Sequence, residues 1–332
     1  MISFSEIKEA KNRLASILNV NPLQNSRTFS EMFGGEVLLK PDCLQKCGSH
    51  KLRGAYYMLS KYSKEKRAAG VCTFSSGNWA QGVAYAGSLL RVPVTVIMPV
   101  DANPGKVSAA RSYGAEVIQY GRESTELSVK ARSLAEERGA SMVSPLFDPD
   151  MAAGLGTVGL ELFDERPDLT RVIVPLGSGG LISGTAAALK HLNPAIQVYG
   201  VQPEGSAAMV KALEAGRVVP LEKVETHADG LAIKEASPET FKVVKELVDG
   251  VVTVPEDAIE EAVFLLLERA KLVVEPSGAV PIAALISGAV NTRENDKTAL
   301  VLTGGNIKLD YLHGILSKRV KLNASLQARG LS

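Results

Sequence analysis

Short runs of β-branched and apolar residues alternate with amphipathic segments along most of the chain, and this alternation constrains the fold more than any other feature. Eight runs are predicted as strands, at 71–74, 94–98, 115–120, 141–144, 171–175, 196–201, 251–254 and 298–303. Helices are predicted between them, for example over 104–113, 123–138, 206–216 and 256–270. Strands separated by helices pair in parallel sheets that helices cover on both faces. The pattern therefore predicts an α/β protein.

The length and composition limit the classes of function. The chain has 332 residues, of which 45% are hydrophobic, and this is enough for about two domains with buried cores. The 37 basic and 36 acidic residues leave a net charge of +1, which gives no strong field for nucleic acid or an anionic membrane. The longest uncharged stretch, 172–189, contains a proline and four glycines and is a poor bilayer span. We expect neither a nucleic-acid nor a membrane partner.

Cysteine usage and the N-terminal residues bear on the compartment. The cysteines are Cys43, Cys47 and Cys72, an odd number that is too small for a disulfide framework. The first residues carry Glu6 and Glu9 and lack the apolar segment of a secretory signal. Reduced thiols in a cytoplasmic protein are the expectation.

A glycine-rich turn follows the strand at 171–175 and precedes a predicted helix. It contains Gly177, Ser178, Gly179 and Gly180. Small residues let backbone N–H groups converge, and the positive end of the helix attracts an anion, most simply a phosphate. No Gly-Lys-Ser/Thr follows, and no acidic residue lies about 20 residues further on, so neither a Walker A loop nor a dinucleotide fingerprint is indicated. A tight turn without a ligand is the alternative.

A lysine occupies an unfavourable electrostatic position in segment 47–59. Gly48 and Ser49 predict a turn and an N-cap, which places Lys51 in the first turn of a helix. The positive end of a helix disfavours a cation, and burial would favour the neutral amine further. A neutral amine is a nucleophile, so Lys51 is a candidate catalytic residue. A solvated lysine near a helix start is the alternative.

Two more polar turns follow predicted strands. Residues 75–78, Ser75, Ser76, Gly77 and Asn78, offer hydroxyl, amide and backbone N–H groups that suit a carboxylate or a phenolate oxygen. An ordinary helix cap is the alternative. Thr303 is followed by two glycines, which would let the backbone approach a flat ring closely.

Together these segments resemble the serine/threonine dehydratase and serine racemase family, which are pyridoxal-phosphate enzymes of fold type II. The resemblance covers essentially the whole chain. Its segments are GSHKLRGA (48–55), SSGNWAQGVA (75–84), YGAEV (113–117), AGLGT (153–157), GSGGLISG (177–184), ADGLA (228–232), KLVVEPSGA (271–279) and TGGN (303–306). It implies two domains, each a mostly parallel twisted sheet flanked by helices. The large domain would comprise 1–69 and 149–332, and the small substrate-loop domain 70–148.

The resemblance implies a role for each site residue. Lys51 would bind pyridoxal 5'-phosphate as a Schiff base, and Thr303 would face the pyridine nitrogen. Asn78 would hydrogen-bond the phenolic oxygen of the ring. Backbone N–H groups would bind the phosphate, and a polar loop would bind the substrate. The N–H groups that would bind the phosphate belong to Gly177, Ser178, Gly179, Gly180 and Leu181. The loop that would bind the substrate is Ser75, Ser76, Gly77, Asn78 and Trp79.

The reaction that the resemblance implies converts a β-hydroxy-L-amino acid to a 2-oxo acid and ammonia. The freed amine of Lys51 would remove the Cα proton as a general base. Ser76 matches the serine on the ring face opposite the lysine. Because Thr303 is neutral, the ring would be a weaker electron sink than with a carboxylate partner, and expulsion of the β-hydroxyl would compete well. A homodimer is the family expectation.

Three departures from the family pattern bear on the substrate. His50 stands where phenylalanine is usual, Trp79 where histidine is usual, and Leu155 where glutamine is usual. Threonine or serine is the expected substrate. A positive His50 would favour an acidic one such as 3-hydroxyaspartate, and Trp79 would accommodate a bulkier aromatic one. Trp79 as core packing and His50 as a locally bonded histidine are the structural alternatives.

The sequence also bears on metal binding, on a regulatory domain and on alternative functions. The carboxylates that bind a divalent cation in serine racemases correspond here to Gln202, Ser206 and Ala208, so no metal site is predicted, although Glu204 is nearby. The chain ends soon after 303–306, which predicts no appended regulatory domain. An amino-acid racemase on the same scaffold is the first alternative function. A non-catalytic nucleotide- or phosphate-binding protein is the second.

Overall fold

A computed structural model describes residues 2–328, with side chains described over 2–320. Within these residues the strands form one six-stranded and one four-stranded sheet. The strands are β1 (Gln24–Asn25), β2 (Glu36–Lys40), β3 (Val71–Phe74), β4 (Val94–Met98), β5 (Glu116–Gln119), β6 (Ser141–Met142), β7 (Arg171–Pro175), β8 (Gln197–Pro203), β9 (Gly250–Val254) and β10 (Lys297–Val301).

Helices connect nearly all of these strands. They are α1 (Phe4–Leu14), α2 (Arg27–Phe33), α3 (Lys51–Ser60), α4 (Lys64–Ala69), α5 (Asn78–Leu90), α6 (Pro104–Ser112), α7 (Ser124–Arg138), α8 (Pro149–Leu155), α9 (Thr157–Glu165), α10 (Gly180–Leu192), α11 (Ala208–Ala215), α12 (Pro238–Leu247), α13 (Glu256–Ala270), α14 (Pro276–Ile286) and α15 (Leu309–Ala328). Short 3-10 turns cover Asp42–Leu44, Glu204–Ser206 and Asp229–Leu231.

The larger sheet has the strand order β1-β2-β10-β7-β8-β9. All its pairings are parallel except that of β1 with β2. Alternate residues of β7 enter different cores, because successive side chains of a strand point to opposite faces. Val172 and Val174 pack in the core that contains α10, whereas Ile173 packs in the core that contains α13 and α14. Helices therefore cover both faces of this sheet.

The smaller sheet has the order β5-β4-β3-β6, and all its pairings are parallel. Val96 of β4 packs in the core that contains Val83 of α5, and Ile97 packs in the core that contains Leu134 of α7. Both sheets are thus buried between helices, which is the arrangement that parallel sheets require. The predicted α/β class with mostly parallel sheets is confirmed.

The predicted elements agree with the structure to within a few residues at most ends. The strand expected at 141–144 is shorter, because only 141–142 pair with β3. The helix expected at 206–216 is shorter, because Glu204–Ser206 form a 3-10 turn before α11 begins at Ala208. Strand β2 was not predicted, although it is buried and lies between β1 and β10. Strand β2 was missed because its sequence is a single short apolar run just after Gly34 and Gly35.

A buried ionic network joins α3 to the end of β2 and to α9. The Arg53 side chain is fully buried and donates two hydrogen bonds to Asp42, at 2.7 and 2.8 Å. It also donates to both carboxylate oxygens of Glu161 on α9 and to the Thr157 hydroxyl. Arg53 and Lys40 hold the pKa of Glu161 at about 2 against the opposing effect of burial. The network fixes α3 against the end of β2 and against α9.

We expect Arg53→Met to lower the free energy of unfolding by about 3–5 kcal/mol, because it leaves the buried Asp42 carboxylate without a counter-charge. Chemical denaturation of the variant and the wild type measures this loss. The exposed pair of Arg27 and Glu31 supplies the control, and Arg27→Met should leave the unfolding midpoint unchanged. Equal small effects of the two substitutions would contradict the prediction.

Candidate active site

One cavity of about 930 Å³ opens at the carboxyl ends of β3, β7 and β10. Ligands of open α/β sheets bind in this location. Every residue that the sequence singled out for the site lines it. These residues are Lys51, Ser75, Ser76, Gly77, Asn78, Trp79, Gly177, Ser178, Gly179, Gly180, Leu181 and Thr303. Residues as far apart along the chain as Lys51 and Thr303 are therefore brought together.

Lys51 is the first residue of α3, as predicted. The expectation that Ser49 caps this helix is wrong, because the N-cap position is His50 and no side chain caps it. Ser49 instead bridges to Gly304. Burial lowers the pKa of Lys51 to about 8, although the Glu275 carboxyl opposes this shift. Within the part of the chain that the structure describes, the amine forms no ion pair.

Glycines let the helices of the site approach closely. A Cβ on Gly82 of α5 would lie 3.1 Å from the Cβ of Lys51, so the helix that follows the loop of residues 75–78 (the serine loop) packs directly on the lysine. A Cβ on Gly154 of α8 would lie 2.6 Å from the carbonyl oxygen of Arg53. Larger side chains at these two positions would push α5 and α8 away from α3.

The turn between β7 and α10 presents unpaired backbone donors. Among the described residues, the N–H groups from Gly177 to Leu181 donate to no protein acceptor. Gly179 has a φ of +87°, and a Cβ there would lie 2.0 Å from the Cγ2 atom of Thr240. The Thr240 hydroxyl donates to the Ser178 carbonyl oxygen at 2.8 Å and holds the turn. Converging free N–H groups at a helix start form an anion site.

The serine loop lies between β3 and α5. Gly77 is the N-cap of α5, and no side chain caps this helix, so the hydroxyls are not used as caps. The Ser75 hydroxyl accepts from the Gly77 N–H, and Ser76 is exposed. Lys106 of α6 lies beside this loop and pairs with Asp229 at 3.0 Å. The loop therefore offers free polar groups close to a cation, which suits a carboxylate ligand.

The side chain of Asn78 is held by two partners. Its Oδ1 atom accepts from the Asn306 amide at 2.8 Å, and its Nδ2 atom donates to Glu275. Glu275 is 3% exposed, and its Oε2 atom has no partner. Burial raises the pKa of Glu275 to about 7, against the opposing effect of Lys106.

His50 is buried and bonded to the backbone of Thr303. Its backbone N–H donates to the Thr303 carbonyl oxygen at 2.9 Å, and its Nδ1 atom lies 3.0 Å from the same oxygen. Burial and the Lys51 charge hold the pKa of His50 well below its usual value. His50 is thus a locally bonded neutral histidine, and the argument for an acidic substrate from a positive His50 is not supported.

Trp79 and Leu155, two of the departures from the family pattern, belong to the core. Trp79 is 2% exposed, and its indole N–H donates to the Thr73 hydroxyl at 2.9 Å. Part of the Trp79 residue still lines the cavity. Leu155 is buried, and its side chain would contact a Cβ atom placed on Gly54 or on Gly180.

Gln202 and Ser206, which correspond to the expected cation-binding positions of serine racemases, bond to other groups here. The Gln202 side chain donates to the Leu176 carbonyl oxygen and accepts from the Met209 N–H. The Ser206 hydroxyl donates to the Leu231 carbonyl oxygen at 2.9 Å. Within the described residues, no group of three His, Cys, Asp or Glu residues could hold a metal ion. The expectation of no metal site stays a prediction.

Sequence reasoning missed three polar residues of the site, namely Glu275, Asn306 and Lys106. Glu275 and Asn306 lie inside motifs that were singled out, but no role was given to them. A lone carboxylate inside the apolar segment 272–286 was the signal for Glu275. Lys106 carried no such signal, because it lies on an otherwise ordinary amphipathic helix.

The donor set of the cavity fits pyridoxal phosphate. The free N–H groups from Gly177 onward suit its phosphate, and the unpaired Lys51 amine in the same cavity suits its aldehyde. The fold and the site thus define a pyridoxal-phosphate enzyme of fold type II. Residues 16–304 match the family model described as pyridoxal-phosphate dependent enzyme, and the chain belongs to this family. The predicted family and cofactor are confirmed.

Individual relatives cover nearly the whole chain. An L-threonine ammonia-lyase of Thermotoga maritima is 42% identical over 96% of this chain and 79% of its own length. An L-threo-3-hydroxyaspartate ammonia-lyase of a Pseudomonas species is 36% identical over 95% of this chain and 98% of its own length. The structure of maize serine racemase is 33% identical with a TM-score of 0.90, over 97% of this chain and 99% of the racemase.

Over the described range, no helix is both long and apolar enough to cross a membrane.

We expect Gly179→Ala to weaken retention of the cofactor at least about tenfold. A left-handed backbone costs a residue with a Cβ about 1–2 kcal/mol, and here the new Cβ also meets Thr240. Gly216→Ala is the matched control, because Gly216 has a φ of +67° and no atom within 4 Å of the new Cβ. Dialysis against buffer without cofactor measures retention. Equal retention by the two variants would contradict the prediction.

The stability of the cofactor-free protein should depend on pH through the Glu275 carboxyl. The pKa of Glu275 is raised on folding, so its contribution to stability is complete below about pH 4.5 and is lost as the pH rises through 7. Between about pH 5.5 and about pH 8, the cofactor-free wild type should lose about 2 kcal/mol more of unfolding free energy than Glu275→Gln. Urea unfolding at the two pH values measures the difference. Glu235→Gln, at an exposed carboxyl of the same cavity, should behave like the wild type.

Proposed function

We propose that the protein is a pyridoxal-phosphate-dependent ammonia-lyase that converts a β-hydroxy-L-amino acid to a 2-oxo acid and ammonia. The observation that carries the proposal is the amine of Lys51, which is unpaired and enclosed in the same cavity as the free N–H groups of the turn at 177–181. The names of the relatives agree with the predicted class of lyase. Membership in an enzyme family argues against the alternative of a non-catalytic binding protein.

Lys51 is proposed to act as the general base. Bound pyridoxal phosphate supplies an electron sink for the bonds at the Cα atom of the amino acid. A pKa of about 8 lets the Lys51 amine exist neutral in a useful fraction near neutral pH and then hold the Cα proton. Among the described residues this amine forms no ion pair, and the Glu275 carboxyl in the same cavity only partly offsets the effect of burial. Its place at the start of α3 disfavours the ammonium further.

The other site residues are proposed to bind and orient. N–H groups from Gly177 to Leu181 hold the phosphate, and the Asn78 amide donates to the phenolic oxygen. The loop from Ser75 to Asn78 binds the substrate carboxylate, with Lys106 nearby as a cation. The polar end of Trp79 is already bonded to Thr73, so Trp79 would contribute only its ring surface to substrate binding.

Thr303 is proposed to face the ring nitrogen. A neutral hydroxyl leaves the ring less electron-withdrawing than a carboxylate partner would. Two bonds from His50 to the Thr303 carbonyl oxygen support this position. The proposed outcome is that expulsion of the β-hydroxyl competes well with reprotonation at the Cα atom.

Threonine or serine is the proposed substrate class. The Thermotoga maritima relative is named for threonine, and the Pseudomonas relative keeps 3-hydroxyaspartate as a further candidate. Amino-acid racemisation is the second candidate function. It is favoured by Ser76, which lies exposed in the same cavity as Lys51, and by the similarity to maize serine racemase.

The domain organisation and assembly are also proposals. We propose a large domain of 1–69 and 149–332 and a small domain of 70–148 that closes over the substrate. The distribution of strands supports this division, since β3 to β6 form their own sheet. We further propose a homodimer in the cytoplasm. The three buried free cysteines are compatible with a reducing compartment.

We expect Lys51→Ala to lose the visible absorption band of the cofactor and at least about a thousandfold in kcat, because both the covalent link and the general base disappear. Absorbance and the release of 2-oxo acid from a panel of β-hydroxy amino acids measure these effects. The panel contains threonine, serine, 3-hydroxyaspartate and phenylserine, and each reaction is also scored for the D-enantiomer.

Lys46→Ala is the matched control, because Lys46 is exposed and precedes Lys51 by five residues. It should keep both the band and the activity. If the wild-type protein gains no absorption band from added pyridoxal phosphate, the proposed function is wrong. Racemisation that exceeds 2-oxo acid release for every substrate would replace the lyase by the second candidate.

A further inference from the structure

Glu275 is a buried carboxyl in the cavity wall that the proposed reaction does not use. It stands at the N-cap position of α14, yet its side chain makes no capping hydrogen bond. Its Oε1 atom accepts from the Asn78 amide, and its Oε2 atom is buried without a partner. A buried polar group that does not serve the helix it precedes needs another explanation.

The neighbouring amides fix the orientation of Asn78. The Nδ2 atom of Asn306 donates both to the Cys47 carbonyl oxygen at 2.9 Å and to the Oδ1 atom of Asn78 at 2.8 Å. The Asn78 oxygen is therefore the acceptor, and its Nδ2 atom faces Glu275. An amide nitrogen has two N–H groups. One is bonded to Glu275, and the other has no acceptor among the described residues.

Gly304 makes the contact of Glu275 with Asn78 possible. A Cβ at this position would lie 2.3 Å from the Oε1 atom of Glu275 and 2.9 Å from the Nδ2 atom of Asn78. The backbone of Gly304 also anchors the acid, because its carbonyl oxygen accepts from the Glu275 N–H at 2.9 Å. The threonine-glycine-glycine-asparagine segment thus supplies both the space for Glu275 and, through Asn306, the orientation of Asn78.

Charged and titratable groups surround Glu275 from several elements. They are Lys51 on α3, Lys106 on α6, Asp229 in the 3-10 turn before α12, and Cys43 after β2. Lys106 and Lys51 lower the pKa of Glu275, whereas Asp229 raises it. Burial raises the pKa of the Cys43 thiol to about 12, so this thiol stays neutral at physiological pH.

We propose that Glu275 is a positioning residue that acts through Asn78. With Asn306, it holds the Asn78 amide so that the remaining N–H is available to the phenolic oxygen of the cofactor ring. The Glu275 carboxyl is neutral while the phenolic oxygen of the cofactor carries negative charge. Ionisation of Glu275 would place a second negative charge near that oxygen and so disfavour its anionic form. This inference rests on the proposed role of Asn78 in the proposed function.

The test is a pH titration of the absorption spectrum of the cofactor-loaded enzyme, a readout independent of turnover. The wild-type spectrum should change with a midpoint near neutral pH. Glu275→Gln should keep the cofactor and lose this midpoint, because the amide cannot ionise. Asn306→Ser, which frees the Asn78 amide to turn, should weaken cofactor affinity about tenfold. Glu235→Gln is the matched control and should titrate like the wild type.

Two neighbouring variants keep the test decisive if Glu275→Gln fails to fold or to bind cofactor. Asp229→Asn should move the midpoint to lower pH, and Lys106→Met should move it to higher pH. Unchanged midpoints in both, or a wild-type titration in Glu275→Gln, would overturn the inference. A wild type that shows no cofactor band at all would instead contradict the proposed function.

Discussion

The site depends on the ion pairs that the buried guanidinium of Arg53 forms with Asp42 and Glu161. The guanidinium pairs with two carboxylates, one fully buried, and so connects the end of β2, helix α3 and helix α9. Lys51 precedes it by two residues on the same helix. Because the ionic network cannot rearrange without stranding a charge, the helix start that carries the amine has one position relative to the large sheet.

The cavity combines two kinds of electrostatic environment. The turn at 177–181 and the loop at 75–78 offer unpaired donors to anions, whereas the Lys51 amine is buried without an ion pair and the nearby Glu275 carboxyl only partly offsets its desolvation. Burial moves the pKa of Lys51 down and that of Glu275 up, so both groups titrate close to physiological pH. Groups poised in this way exchange protons with little cost, which proton abstraction at a carbon atom requires.

Local patterns in the sequence were sufficient for the parallel sheets and for the turns at their carboxyl ends. β-Branched runs and small polar residues are local signals, and every predicted site residue reached the same cavity. Other features depend on tertiary contacts. Strand β2 was missed because one short apolar run after two glycines is ambiguous by itself, and the neutral state of His50 follows from burial that only the fold supplies. The contact between Glu275 and Asn78 joins residues 197 positions apart.

The single tryptophan of the chain has a practical consequence. Trp79 lies buried at the cavity wall, one residue after Asn78, with its indole nitrogen bonded to Thr73. Intrinsic fluorescence excited at the indole band therefore reports from one known place in the molecule. Binding and release of the cofactor, and the proposed domain closure, can be followed in real time with the native chain, without attaching a dye.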